Sequence, residues 1–241
     1  MLKILFSPSE NKNFGGQKCK NNLFGSNSAR DDILNEYDNI IRGGNEEQIK
    51  DLFGFKKFSD SIPYIDDFLN SLLMPAIERY DGVAYNYLDF TSLSLEAKEY
   101  IKANTIIFSN LYGPLLGSDM ILNYKVKQGN NIGSFIPDKF YRDRFSYQLD
   151  LYLANSEILD LRAGYYDKFY EVKRPYTTLK FLKDGKIVSH WAKAYRGLVL
   201  RTIAQSSINS IDEFISLELK DLMVKEIIKK RIHTEIIYEI K

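Results

Sequence analysis

Ile187-Val-Ser-His-Trp-Ala-Lys-Ala-Tyr-Arg-Gly-Leu-Val-Leu-Arg201 opens as the end of a short apolar run and changes at Ser189-His190 into a segment with helical spacing. At 100° per residue, Trp191, Tyr195, Leu198, Val199 and Thr202 share an apolar face, with Lys193, Arg196 and Gly197 roughly opposite. A strand feeding a helix in this way leaves free backbone N–H groups near Ser189 to Trp191, which suits an anion. The segment therefore reads as a phosphate-facing helix. An amphipathic helix with a solvated charged face gives the same pattern. Just upstream, Thr177 to Leu182 and Ile187 to His190 flank Lys183-Asp184-Gly185-Lys186, a strong hairpin signal.

Strand and helix signals interleave along the rest of the chain. Leu2 to Phe6 reads as a buried first strand ending at Ser7-Pro8-Ser9. The loop from Glu10 to Ser26 is rich in Asn, Gly and Lys, and its length sets it apart as functional or mobile. Ser28 with Asp31 resembles a capping box ahead of Ile33, Leu34, Tyr37 and Ile40-Ile41, and Gly43-Gly44 stops that helix. Asn45 with Gln48 opens a second helix, and Leu69 to Tyr80 reads as a third, kinked at Pro75. Leu95 to Ala103 and Asp138 to Leu153 read as helices, Thr105 to Phe108 as a central strand, Asn123 to Lys127 and Ile158 to Leu161 as further strands, and Asn110 to Gly117 as an irregular loop. Ser210 with Glu213 caps a later helix, and Ile232, Thr234, Ile236, Tyr238 and Ile240 alternate as a half-buried terminal strand. Neither a repeat nor a linker interrupts this pattern. The expectation is one α/β (mixed α+β) domain over residues 1–241, a central mixed sheet with surrounding helices.

An apolar fraction of 44% and a charged fraction of 27% are those of a globular protein and argue against disorder. No run is long and apolar enough for a membrane span, and Met1 to Ser7 lacks the apolar core of a signal peptide, so a cytoplasmic protein with no membrane partner is expected. The single Cys19 fits a reducing compartment. Net charge is +1, which does not mark a polyanion binder, but its distribution is uneven. Ala29 to Gly82 carries twelve acidic and six basic residues, whereas Asp160 to Arg201 carries ten basic and four acidic. A local basic surface follows if the second segment folds onto one face.

Phosphate-loop, dinucleotide-binding and Cys-x-x-Cys motifs are absent, and His190 and His233 lie far apart with no metalloprotease helix, so no cofactor and no structural metal are expected. A weak ferrous site using His190 with Glu10 or Asp160 lacks the spacing of a facial triad. Polar residues do gather where apolar strands end: Ser9, Glu10 and Lys12 after the first, Tyr124 and Lys125 around another, Asp160 and Arg162 at a third, Ser189-His190 at a fourth. In open α/β sheets such ends converge on a ligand crevice. Converging here, Lys12, Lys125, Arg162, Lys193 and Arg196 form a cationic cleft, with Ser9, Tyr85, Tyr112 and Tyr124 available to donate hydrogen bonds or stack on bases.

Six segments also carry a family resemblance. Ser7-Pro8-Ser9-Glu10-Asn11-Lys12, Gly82-Val-Ala-Tyr85 with Leu88-Asp89, Asn110-Leu-Tyr112-Gly113, Tyr124-Lys125 with Gly129, Asp160-Leu-Arg162-Ala-Gly164 with Tyr166, and Val188-Ser-His-Trp-Ala-Lys193 with Arg196-Gly197 occur in an order that resembles the YaaA family of bacterial peroxide-stress proteins. The resemblance runs from Met1 to about Arg201. It implies a cytoplasmic oxidative-stress protein associated with low free iron, a mixed α/β fold, and a positively charged cleft able to bind double-stranded DNA. Asn11 and Asn13 stand where Gly and Thr are common in related sequences, and Lys125 where Arg is common.

Two functions compete. In the first, Ser9, Lys12, Tyr85, Tyr124, Lys125, Arg162, Lys193 and Arg196 contact a DNA backbone with little base reading. In the second, the same cleft holds a nucleotide, nucleoside or modified base, and Glu10, Asp160 and His190 supply acid and base. A direct iron sequestrant ranks below both because its ligand set is poor.

Overall fold

The computed structural model describes residues 1–18, 28–70 and 72–241, with the side chains of Ser28, Ser189 and His190 excepted. Cys19 and the Ser28 side chain of the expected capping box thus lie outside the described residues. Leu2–Phe6 forms β1, buried along its whole length, and short strands β2 (Asn11–Lys12) and β3 (Gln17–Lys18) follow. Helices α1 (Ser28–Gly43), α2 (Glu46–Phe53) and α3 (Ile62–Leu69) come next. Asn45 caps α2 by accepting from the Gln48 N–H at 3.1 Å, and Gly54 ends it at φ 74°.

The helix expected from Leu69 to Tyr80 does not form. The chain runs instead through β4 (Leu72–Pro75), one turn of helix α4 (Ala76–Arg79) and β5 (Tyr80–Asp81). Pro75 cannot donate within a helix, and β3 and β8 (Met120–Leu122) flank Leu72–Pro75 with an antiparallel ladder on each side. Helices α5 (Val83–Leu88) and α6 (Leu95–Asn104) then lead to β6 (Thr105–Ser109) and β7 (Gly113–Leu116). β7 corrects the expected irregular loop: Gly113 takes φ 67° and the chain turns back antiparallel along β6. The strand expected over 123–127 lies earlier, as β8, because the later backbone groups are used elsewhere. Lys125 N–H donates to the Tyr37 hydroxyl at 3.0 Å and Lys127 N–H to the Leu52 carbonyl at 3.0 Å.

Beyond α7 (Pro137–Tyr152) and β9 (Glu157–Asp160), β10 (Tyr176–Lys183) and β11 (Lys186–Ile187) make the expected hairpin, with Asp184 at φ 51° and Gly185 at φ 73°. Helices α8 (Ser189–Gln205) and α9 (Ile211–Ser216) precede β12 (Leu222–Lys230) and β13 (His233–Ile240). Ser210 caps α9 as expected, accepting from the Glu213 N–H at 3.2 Å.

The main sheet runs β12-β13-β10-β9-β1-β6-β7, with β11 attached to β10. Its five inner strands are parallel and its two margins antiparallel. From β1 the chain adds β6 and β7 on one side, then returns to add β9 and β10 on the other. The order therefore reverses between β1 and β9, and the crevice outside their carboxyl ends is where an open α/β sheet receives a ligand.

Helix α8 begins where the sequence places it, but its buried side differs. Trp191 is 48% exposed, while Ala194, Tyr195, Val199, Leu200, Ile203 and Ala204 are buried. Gly197, assigned to the polar side, is buried against α5: a Cβ there lies 2.0 Å from the Ala84 carbonyl oxygen. The single-stripe reading fails because α8 packs against two partners, the sheet through Tyr195 stacked on Phe181 at 5.5 Å and α5 through Gly197. Alanine gains about 1 kcal/mol over glycine in an unencumbered helix. Gly197→Ala is nevertheless expected to lower stability by roughly 1–3 kcal/mol through overpacking, a sign that urea unfolding reads directly.

Candidate functional site

The loops leaving β1 and β9 make two walls of a cleft of about 430 Å³ at this reversal point, and the start of α5 with the flank of α8 makes the others. Hydrogen bonds fix the walls to one another. Tyr85 donates its hydroxyl to the Ser7 carbonyl at 2.9 Å, and Ser7 Oγ accepts from the Ala163 N–H at 2.7 Å. Gly82 sits at φ 149°, and a Cβ there lies 2.5 Å from Ser9 Oγ, so the loop and α5 meet only over a glycine. Phe6, Leu161, Ala84 and Ala163 give the cleft an apolar floor beside Tyr85 and Tyr166; Ser9, Glu10, Asn11 and Gln128 form a polar rim.

Two cations of α8 reach this cleft. Lys193 and Arg196 are three residues apart, hence on one helix face, and Gly197 holds that face close to α5. Among the described residues neither has a carboxylate within salt-bridge distance. Burial pushes the Arg196 guanidinium down from its usual range, and Asp160 and Asp167 pull it back up. Asp167 is raised by burial and by Asp160, against the pull of Arg162 and Arg196. Opposite them, Glu10 accepts from the Gln128 N–H at 2.9 Å and lies 3.9 Å from the Lys125 ammonium.

Of the residues singled out in the sequence, Ser9, Glu10, Tyr85, Lys193 and Arg196 line the cleft. Six others, Lys12, Lys125, Tyr124, Tyr112, Arg162 and Asp160, do not stand in it as expected. Lys12 is 5% exposed beneath the loop, donating to the Ser9 and Glu10 carbonyls at 3.3 Å each and lying 3.8 Å over the Tyr124 ring. Lys125 is buried beside it, with Phe55 and Tyr64 below its ammonium. Both support the loop from behind. Tyr124 is buried in the core, sharing hydrogen bonds with Tyr80 at 2.9 Å and Ser109 at 2.7 Å, so it has no face for a base; Tyr112 is buried against its edge.

Arg162 and Asp160 are the last two. The Arg162 guanidinium grips both oxygens of Asp160, at 2.9 and 2.6 Å, and donates to the Tyr166 and Tyr170 carbonyls at 3.0 and 2.9 Å. All its strong partners are internal, and the same pairing removes Asp160 as a free acid or base. The pair faces a neighbouring cavity that also holds His233, so the third strand end reaches the cleft through Leu161 and Ala163 and not through its charged side chains. The side chain of His190 lies outside the described residues. Tyr166 and Gln128 are cleft residues that the strand-end argument did not select. Tyr166 stood in a quoted segment, and Gln128 lies directly before the quoted Gly129, which takes φ 90°.

A family model described as peroxide stress protein YaaA matches residues 2–227. The chain belongs to this family. The YaaA match extends past Arg201, where the resemblance read from the sequence ended, into β12. Among relatives, the chain is 41% identical to an uncharacterized protein of Campylobacter jejuni over 99% of each chain. It is 27% identical to a UPF0246 protein of Streptomyces coelicolor, over 84% of this chain and 82% of that one, and 27% identical to a UPF0246 protein of Fusobacterium nucleatum, over 90% and 91%. Membership gives the chain an oxidative-stress role. No described helix is long and apolar enough to cross a membrane.

Lys12 gives this YaaA site a pH signature. Burial, with Lys125 and Arg79 nearby, holds its amine well below the ordinary lysine value of 10.5, and Glu10 offsets this only in part. Between the lowered pKa and about 10.4 the unfolded chain binds the extra proton, so the group's contribution makes stability rise with pH across that window. Urea unfolding at a series of alkaline pH values is expected to show this rise in the wild type relative to Lys12→Met.

Proposed function

We propose that this peroxide-stress protein binds double-stranded DNA in the bacterial cytoplasm, with residues 1–241 acting as one domain and Lys193 and Arg196 as the phosphate contacts. The observation that carries the reading is the placement of two cations, neither within salt-bridge distance of a carboxylate among the described residues, on one helix face at the mouth of the switch-point cleft. Such cations neutralise backbone phosphates and release counterions, and the contact carries little sequence information. Ser9 and Tyr85 shape the cleft wall, and Lys12, Lys125 and Arg162 hold its loops from within. Limitation of free iron belongs to the same proposal as an outcome of the stress response, with no iron site assigned. Among the described residues no group of three or more His, Cys, Asp or Glu side chains is placed to hold a metal ion.

A second reading, an enzyme acting on a nucleotide, nucleoside or modified base, is favoured by one observation. The Glu10 carboxylate stands at the rim of a cavity of nucleotide size with an apolar floor. Glu10 and His190 then share the acid and base roles, since Asp160 is committed to Arg162. Turnover of a nucleotide without any affinity for duplexes selects this reading.

Affinity for a duplex, measured against salt concentration, tests the first. Each neutralised phosphate contributes about 0.9 to the slope of log K against log salt. Changing Lys193 and Arg196 together to Ala is expected to flatten that slope by about 1.8 and to weaken binding on all sequences alike. An unchanged slope removes both residues from the interface.

A further inference from the structure

The cleft is too small for the duplex that Lys193 and Arg196 are proposed to meet. At about 430 Å³ it lies low in the range of small-molecule sites, roughly 300–1,000 Å³, whereas the major groove of B-DNA alone is about 12 Å wide. A duplex rests across the mouth, where Lys193 is exposed, and leaves the interior to something smaller.

That interior differs from a phosphate groove. Pro8, Val83, Ala84 and Ala163, all partly exposed, line it over the buried Phe6 and Leu161. A phosphate gains nothing on such a surface, but a flat heteroaromatic ring gains burial there. The rim then offers what a base edge needs. Gln128 brings an amide that both donates and accepts, and Glu10 brings acceptor oxygens within the same wall. Cations at the mouth, an apolar slot and a hydrogen-bonding rim follow the order of groups in one nucleotide.

We infer that the cleft takes a single nucleotide turned out of the duplex, its phosphate against Lys193 and Arg196 and its base between Val83 and Ala163. The inference rests on the DNA-binding reading above and names what that site selects. A paired base must give up stacking and pairing to enter, whereas an unpaired or damaged one has less to lose. The preferred ligand is therefore a duplex with one unpaired base.

The test compares two duplexes of equal length and flanking sequence at one salt concentration, one fully paired and one with a single bulged adenine. The full-length protein is expected to bind the bulged duplex about tenfold tighter or more. Val83→Phe, which fills the slot without altering either cation, is expected to erase that preference and keep the salt slope. Asn11→Trp, at the rim, serves if Val83→Phe does not fold. Equal affinity for the two duplexes with the wild-type salt slope intact overturns the inference and leaves DNA binding standing. A preference that survives both substitutions also overturns it, because it then arises outside the cleft. Salt-independent or absent binding to either duplex overturns both readings.

Discussion

The close approach of α8 to α5 at Gly197 is the constraint on which the site depends. A hydrogen in place of a side chain lets the helix lie against the Ala84 carbonyl, and the same side of the helix carries Lys193 one turn earlier and Arg196 one residue earlier. Gly82 does the equivalent work on the other side, admitting Ser9 at a distance no Cβ tolerates. Two missing side chains thus bring the strand-end loop, one helix start and one helix flank within reach of a common ligand. Tyr85 then locks the arrangement by donating to the Ser7 carbonyl.

Charge is divided between two tasks. The cations at the cleft mouth have no carboxylate within salt-bridge distance among the described residues, whereas those behind the walls are consumed by the protein itself. Arg162 is the clearest case: with Asp160 and two carbonyls around it, little of its hydrogen-bonding capacity is left for an external anion. A buried pair of this kind adds modest net stability, but losing one partner strands the other in a dry interior. Fully buried Arg79 plays a comparable part at the N-terminal loop, donating to the Leu72 carbonyl at 2.8 Å while its own carbonyl accepts from the Asn13 N–H at 2.8 Å.

Much of the scaffold was readable from local signals. The Leu2–Phe6 strand, the Asp184-Gly185 hairpin and the caps at Asn45 and Ser210 each follow from short-range chemistry, and each is found where the sequence puts it. The misreadings share a different cause. Leu72–Pro75 became a strand through partners distant in sequence, and Asn123–Lys127 lost its strand character because Tyr37 and Leu52 take its N–H groups. At the site the strand-end rule found which segments converge, but not which side chains of those segments turn outward. Lys12 and Lys193 look alike in sequence; only the rings and carbonyls around Lys12 distinguish a loop support from a cleft cation.

The outermost strand of the main sheet, β12, shows how an open sheet margin is guarded. Nine residues long and largely exposed, with Met223, Val224 and Ile227 open to solvent, it has the makings of a template for a neighbouring chain. Its register breaks between Val224 and Glu226, and Lys225, Lys229 and Lys230 stud its length. An incoming strand meets a kink and three lysines, so growth of fibrils from this margin is discouraged.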